Sequence, residues 1–449
     1  MFHGQRRRRG RFRHPAQVVV TAFAAADLIG TILLMLPVAR AGEGSAPFVT
    51  ALFTSTSAVC VTGLVTVDTP TYWSGFGQAV IIGLIQIGGF GIMTLASLIA
   101  LFLSRRLGLR TRLTAAAETK SLGPGDVRSV LIGVGKITVV VESTIALILV
   151  LRFAFGYDYP WPRAIYHGVF HAVSSFNNAG FALYSDNLMG FADDPIILLP
   201  VSVAIIIGGL GFPVIMELLR RRRPKKWSLH TKLTLFMTSI LLVGGTIFIG
   251  FSEWTNAGTI GDASAGTKLL DSFFHAVQPR TAGFNAWDYG KATDETLLGT
   301  IMLMFVGGGS AGTAGGLKVT TFVVLFFVIV AEVRGERDVV AFDRRIDPRA
   351  IRAATTVALL GVAAVLGATM VLTEVTELPL REALFESTSA FATVGLSMNV
   401  TAGLPPTAQF VLVGLMFLGR LGPITLVSAL ALRDRDRRFT LPEGAPLIG

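Results

Sequence analysis

The chain has 449 residues, of which 52% are hydrophobic and only 15% charged, yet its formal net charge is +10 and its pI about 10.1. A mean hydropathy of +0.63 excludes a disordered chain, argues against a soluble globular enzyme, and is too oily for a nucleic-acid binder of similar pI. The lone Cys60 excludes an intrachain disulfide framework and any multi-cysteine metal site. A polytopic, all-α membrane protein remains, because backbone facing lipid must satisfy its own hydrogen bonds.

In chain order, a basic N-terminus (1–14) leads into eight apolar stretches long enough to cross a bilayer, which takes about 20 residues. They cover 16–37, 73–103, 129–151, 195–219, 233–252, 296–331, 350–373 and 408–432, and a tail (434–449) follows. Residues 1–41 resemble a signal peptide ending at Ala39-Arg40-Ala41, but the apolar stretch exceeds the roughly 7–15 residues of a signal core. It is read as a transmembrane helix. Of 39 Lys and Arg, 29 lie in the N-terminus, after the second, fourth and sixth spans, and in the C-terminal tail. The positive-inside rule puts these segments, and both termini, in the cytoplasm. The outer segments are then net acidic, which raises the local cation concentration at a pore mouth.

The outer segments between paired spans repeat. Each holds an apolar run too short to span and ends in a glycine: Leu52 to Gly63, Val169 to Gly180, Phe273 to Gly283 and Leu384 to Gly395. The third is one residue shorter when its Phe-His-Ala-Val is matched to the second's. The glycines are 117, 103 and 112 residues apart. This reads as four membrane–pore-loop–membrane repeats, over 15–104, 128–220, 230–332 and 349–433. A half-helix ending in irregular backbone at membrane depth is tolerated only where it is buried in protein or lines a watery cavity. Four such turns about one pseudo-fourfold axis form a ring of backbone carbonyls, able to replace the hydration shell of a potassium ion. Helix C-termini add partial negative charge beside it.

On these residues the chain resembles the Trk/Ktr/HKT superfamily of potassium transporters over nearly its whole length. The matching pieces are Val59-Cys60-Val61-Thr62-Gly63, Asn177-Asn178-Ala179-Gly180, Pro279-Arg280-Thr281-Ala282-Gly283 and Ala392-Thr393-Val394-Gly395. The resemblance implies a selectivity filter built from Val61, Thr62, Gly63, Asn178, Ala179, Gly180, Thr281, Ala282, Gly283, Thr393, Val394 and Gly395, holding K+ and no other metal. Plant members with serine at the first filter position are typically sodium-selective, so Gly63 points to potassium. The length and the Gly419-Arg420-Leu-Gly-Pro-Ile-Thr425 stretch are closer to the Ktr membrane subunit than to the longer Trk one. That subunit's family implies a homodimer on a cytoplasmic, nucleotide-binding RCK-type regulatory ring, with sodium as an activator in some members. The short basic cytoplasmic loops suit such a regulator or anionic lipid equally. The location implied is a prokaryotic plasma membrane.

The sixth span is too long. Residues 296–331 would reach about 54 Å as one helix, against about 30 Å of hydrocarbon. Gly307, Gly308, Gly309, Ser310, Gly312, Gly315 and Gly316 interrupt it, followed by Lys318; six glycines at about 1 kcal/mol each break a helix. A phosphate-binding loop would need Gly-Lys-Ser/Thr, and Gly316-Leu317-Lys318-Val319 lacks it. A passive kink is the plain alternative. The family resemblance implies instead an intramembrane gating loop, 307–317, under the filter, with Lys318 assisting it or closing it. Arg420, mid-span, is costly in a membrane and functional by default. It pairs with Glu142 or, by the resemblance, stands as a cationic barrier beside the loop. Asp27, Lys136 and Glu142 read as helix-packing pairs. His167 and His171 sit at i, i+4, a possible zinc face, yet His171 matches His275 in register, which favours packing. No nucleophile–base constellation supports the rival reading, a membrane hydrolase. Alternating-access transporters usually carry inverted repeats. A sodium or general monovalent-cation transporter of the same fold is the nearer alternative.

Overall fold

The computed structural model describes residues 15–106, 127–221 and 223–422. The basic N-terminus 1–14, most of the loop between the second and third spans, residues 423–433 and the tail 434–449 lie outside the described residues. The described chain is mostly helical, with one two-stranded hairpin. In order the helices of nine or more residues are α1 (Pro15–Leu34), α2 (Phe48–Val59), α3 (Gly75–Arg106), α4 (Val127–Gly156), α5 (Trp161–Phe176), α6 (Pro195–Leu210), α7 (Phe212–Arg220), α8 (Leu229–Glu253) and α9 (Ala265–Val277). Then come α10 (Asp294–Phe305), α11 (Val319–Arg334), the hairpin β1 (Val340–Ala341) and β2 (Arg344–Arg345), α12 (Pro348–Val375), α13 (Leu380–Ala392) and α14 (Pro406–Leu421).

Local chemistry sets many of the helix starts. The Ser228, Ser264 and Thr293 side chains accept the third amides of α8, α9 and α10, and Asp194 and Asp347 cap α6 and α12, satisfying otherwise orphaned donors. Proline at the first or second position of α5, α6, α7, α12 and α14 needs no amide bond there.

Among the described residues, Leu131–Gly156, Leu229–Glu253 and Pro348–Val375 are each long and apolar enough to cross a bilayer alone. The stretch read as one span over 195–219 is not continuous. It is α6 and α7, bent by 98° at Gly211, whose φ of 92° and ψ of 143° only glycine adopts readily. The stretch 408–432 likewise leaves the helix at Gly422, with nearly the same backbone (φ 82°, ψ 140°), and 16–37 ends as a helix at Leu34. The stretch 296–331 divides, as expected, into α10 and α11 around non-helical residues 306–318.

Polarity is distributed inside out. Phe251, Val333, Phe155 and Met370 are 88%, 83%, 74% and 72% exposed, which suits a lipid-facing surface. Buried within are runs such as Thr54-Ser55-Thr56-Ser57 of α2 and Ser387-Thr388-Ser389 of α13. These short polar helices are enclosed by the longer apolar ones, α2 between α1 and α3 and α5 against α4 and α6. Their C-terminal ends converge on the site.

Candidate functional site

Each of α2, α5, α9 and α13 ends in the same turn. The residue two before the glycine is left-handed: Val61 (φ 56°), Asn178 (60°), Thr281 (67°) and Thr393 (53°). The glycines follow suit: Gly63 (92°), Gly180 (69°), Gly283 (75°) and Gly395 (93°). Left-handed backbone costs an ordinary residue about 1–2 kcal/mol, and β-branched Val61, Thr281 and Thr393 are true outliers there. Strain of this kind clusters at functional sites. Hydrogen bonds lock the turns. Thr62 N donates to Ser57 O (2.7 Å), Ala179 N to Ser174 O (2.8 Å) and Val394 N to Ser389 O (2.8 Å). In the third turn Ala282 N reaches Gln278 O (3.0 Å), across four residues instead of five; this is the shortening visible in the sequence. Ser57 and Ser389 hydroxyls each accept the amide of their own glycine at 3.1 Å, and Gln278 accepts that of Phe284 at 3.1 Å.

The four turns close on one another. A side chain placed on Gly63 would run into Ala179 O, on Gly180 into Ala282 O, on Gly283 into Val394 O, and on Gly395 into Thr62 O. Each glycine therefore lies against the carbonyl that precedes the next glycine, and the fourth returns to the first. The result is a ring in chain order. All twelve expected filter residues belong to it, and all but Gly395 are buried. The hydroxyls of Thr62, Thr281 and Thr393 are buried without a protein partner.

The glycine-rich segment lies against this ring. Its ends are pinned together: Val306 and Leu317 form a parallel bridge, Gly307 N donates to Leu317 O (2.8 Å), and Val319 N to Gly308 O (2.9 Å). It threads past the bend between α6 and α7. Gly309 N donates to Gly209 O (2.7 Å), Thr313 N to Gly208 O (3.1 Å), and Phe212 N to Ala311 O (3.1 Å). Backbone comes so close that a side chain on Gly309 would meet Leu210 O, and one on Gly312 would meet the Gly208 and Gly209 carbonyls. A side chain on Gly211 would strike Ser310 O, while the Ser310 hydroxyl pairs with Thr320 at 3.0 Å. Toward the ring, Thr313 Oγ1 donates to Asn178 Oδ1 (2.8 Å). Gly315 packs on the Thr393 side chain, and Gly316 (φ 60°) on Ala392. Asn178 and Thr393 belong to the second and fourth turns, which are diagonal in the ring. Residues 313–316 therefore cross beneath it.

Three cations hold the loop by its carbonyls. Arg420, only 2% exposed, donates to Thr313 O and, at 2.9 Å, to Gly88 O of α3. Lys318 donates to Ala314 O. Arg280, in the third turn and 6% exposed, donates to Gly307 O at 3.2 Å. The last was not assigned a role from sequence, although a charge inside an otherwise neutral turn was the available signal. The pairing of Arg420 with Glu142 does not form. Glu142 accepts from Asn177 Nδ2 at 3.1 Å instead. Asp27 accepts from Thr56 Oγ1 (2.9 Å), and Lys136 is exposed on α4.

His171 and His275 anchor the segments that follow the second and third turns. His171 Nε2 accepts Leu183 N at 3.3 Å and His275 Nε2 accepts Ala286 N at 3.1 Å. At the corresponding place in the fourth turn stands Glu386, fully buried, which takes the Met398 amide and the hydroxyls of Ser397 and Thr401. Its equivalence to the histidines escaped the sequence reading, since charge and imidazole share only their capacity to accept.

The family model for the cation transport protein TrkH matches residues 3–439. The chain belongs to the TrkH family. It is 39% identical over 437 residues, 97% of each chain, to the Ktr system potassium uptake protein B of Bacillus subtilis. It is 36% identical over 444 residues, again 97% of each, to the potassium/sodium uptake protein NtpJ of Enterococcus hirae. The crystal structure of the potassium transporter TrkH from Vibrio parahaemolyticus superposes with a TM-score of 0.72 at 17% identity, over 95% of this chain and 87% of that one. The two share a fold. As a TrkH-family member the chain is a membrane protein of the cation-transport class and not an enzyme, which sets the hydrolase reading aside.

Proposed function

We propose that this TrkH-family chain takes up potassium across a prokaryotic plasma membrane through a gated, channel-like pore. The closed ring of four glycine turns carries the reading, supported by the names of its Ktr relatives. Eight spans form four membrane–pore-loop–membrane repeats about one axis, with both termini cytoplasmic. The ring is the filter. Its carbonyls replace water around a dehydrated cation, and the C-terminal ends of four buried helices favour positive charge there. The twelve residues from Val61 to Gly395 line it. Gly63 in the first turn favours potassium over sodium. Residues 307–317 are the gate, which seals the path while Arg420 and Lys318 hold it under the ring; withdrawal of the loop opens it.

Potassium moves down its electrochemical gradient, with no bound cofactor in the path. Two copies of the chain form a homodimer, seated on an RCK-type regulatory ring that senses nucleotide and biases the loop; sodium acts as an activator. Sodium as a co-transported ion is the second reading, favoured by the potassium/sodium uptake relative. Purified protein in liposomes loaded with potassium or, in a parallel preparation, with sodium tests both. Potassium efflux far faster than sodium efflux is expected. Comparable rates favour the second reading, and no flux of either ion, with or without a regulatory subunit, refutes both.

A further inference from the structure

The hairpin of β1 and β2 closes in a two-residue turn whose residues, Phe342 (φ 48°) and Asp343 (φ 61°), are both left-handed. Asparagine and glycine usually fill such turns, and a bulky phenylalanine there is strained. The hairpin is fixed to the helices beside it. Ala341 and Ile346 are buried in one cluster with Leu233 and Met237 of α8 and Val319 and Val323 of α11. Ile346 N donates to Val339 O at 2.8 Å. The turn carries the Phe342 ring onto Phe236 of α8, edge to face at 5.6 Å, and to 6.3 Å from Phe327 of α11. Beside that ring lies an open groove of about 550 Å³, lined by Lys232, Phe342, Asp343, Arg344 and Arg345. Three of these side chains are cationic and one is acidic. Asp338 stands on Arg345 at 3.0 Å, in an exposed pair that solvent screens. From Lys232, in the first turn of α8, one helix face continues through Phe236, Ile240, Val243 and Ile247. The last three are 46%, 60% and 68% exposed. The groove thus joins a cationic end to an uncovered apolar stripe.

We infer that this groove binds the phosphate of an anionic phospholipid of the cytoplasmic leaflet, with an acyl chain laid along α8. The inference rests on the proposed orientation, in which α8 begins and α11 ends on the cytoplasmic side. Lys232 and the two arginines supply charged donors of the kind that hold a phosphate. Phe342 and Phe236 flank the place where the polar head gives way to the chain. A lysine near the end of a span commonly snorkels to the headgroups by itself; here a strained hairpin brings two arginines beside it. A cytoplasmic protein partner would meet the cations but leave the stripe of Ile240, Val243 and Ile247 uncovered, and so would free phosphate. Only a lipid uses both ends.

Purified protein in detergent, offered equal amounts of phosphatidylglycerol and phosphatidylcholine and read by native mass spectrometry, provides the test. The wild type is expected to retain phosphatidylglycerol in preference. Lys232→Gln should lower that preference about fivefold, the worth of one basic side chain beside anionic lipid, and Lys232→Arg should keep it. Excess inorganic phosphate should leave the lipid in place, because the stripe holds its chain; displacement by phosphate alone overturns the assignment to lipid. Equal retention of the two lipids by the wild type, or an equal preference in wild type and Lys232→Gln, overturns the inference. If Lys232→Gln retains lipid unaltered and binds a regulatory subunit less well, the groove belongs to that protein, and the inference is likewise overturned. Should Lys232→Gln not reach the membrane, Arg345→Gln on the exposed hairpin takes its place; the same fall is expected, and an unchanged preference overturns the inference as well. The readout is lipid and not flux, so failure here leaves the proposed function standing.

Discussion

Replacing Arg420 with alanine removes the bond that ties the middle of the loop, at Thr313 O, to a side chain otherwise anchored on Gly88 O of α3. A hydrogen bond from a charged donor contributes about 1.5–3 kcal/mol. The seated loop loses that much relative to the withdrawn one, and at 1.4 kcal/mol per decade the ratio of withdrawn to seated loop rises about ten- to a hundredfold. A loop withdrawn about 0.1% of the time would then be withdrawn about 1–10% of the time. Removing the buried positive charge lowers the electrostatic barrier to cations as well. Potassium flux in liposomes, at matched protein and without a regulatory subunit, is expected to rise by one to two orders of magnitude. Arg420→Met, which keeps the apolar stem, should behave similarly and separates loss of the bonds from the cavity that alanine leaves. Flux within twofold of wild type in both variants, or reduced in both, would refute the assignment of Arg420 as a latch.

Other positions give independent checks. Gly211→Ala puts a side chain at φ 92° against Ser310 O, at a conformational cost of about 1–3 kcal/mol before the collision; it should displace the loop and raise basal potassium flux, read in the same assay. Glu386→Ala strands the Met398 amide and the Ser397 and Thr401 hydroxyls, each orphan costing about 1–3 kcal/mol. The melting temperature in detergent should fall by several degrees, with Glu386→Gln falling less. Glu253, fully buried at the end of α8, accepts from Asn256 (2.7 Å), Thr259 (2.6 Å) and the Thr293 amide and hydroxyl (both 2.9 Å). Glu253→Ala should destabilise the protein by a comparable margin while leaving the potassium-to-sodium ratio unaltered.

The parts of this structure that were legible in the sequence are local and repeated. The glycine turns could be read because each turn's geometry is written within about a dozen residues, and the shortened third turn shows in the spacing of His275 and Gly283. The interruption of 296–331 was legible because six glycines cannot sustain a helix. The bend at Gly211 was not. Hydropathy registers side chains, and one glycine among Ile, Leu and Phe does not lower it; the reason for the bend is tertiary, the approach of Ser310 O. Of the two places the sequence offered Arg420, a counter-charge at Glu142 or a position beside the loop, the buried guanidinium takes the second, on the carbonyls of Thr313 and Gly88. Asp27 and Glu142 likewise settle on Thr56 and Asn177. Neutral partners of this kind come from residues up to 332 positions apart, and no spacing rule reveals them.

Potassium and sodium fluxes of wild-type protein and Gly63→Ser, compared in one liposome preparation, test the filter most directly. A side chain on Gly63 projects into Ala179 O of the neighbouring turn and deforms the ring at its first position. Strong preference for potassium in the wild type and a clearly weakened preference in Gly63→Ser are predicted. Equal selectivity in the two proteins would contradict the account.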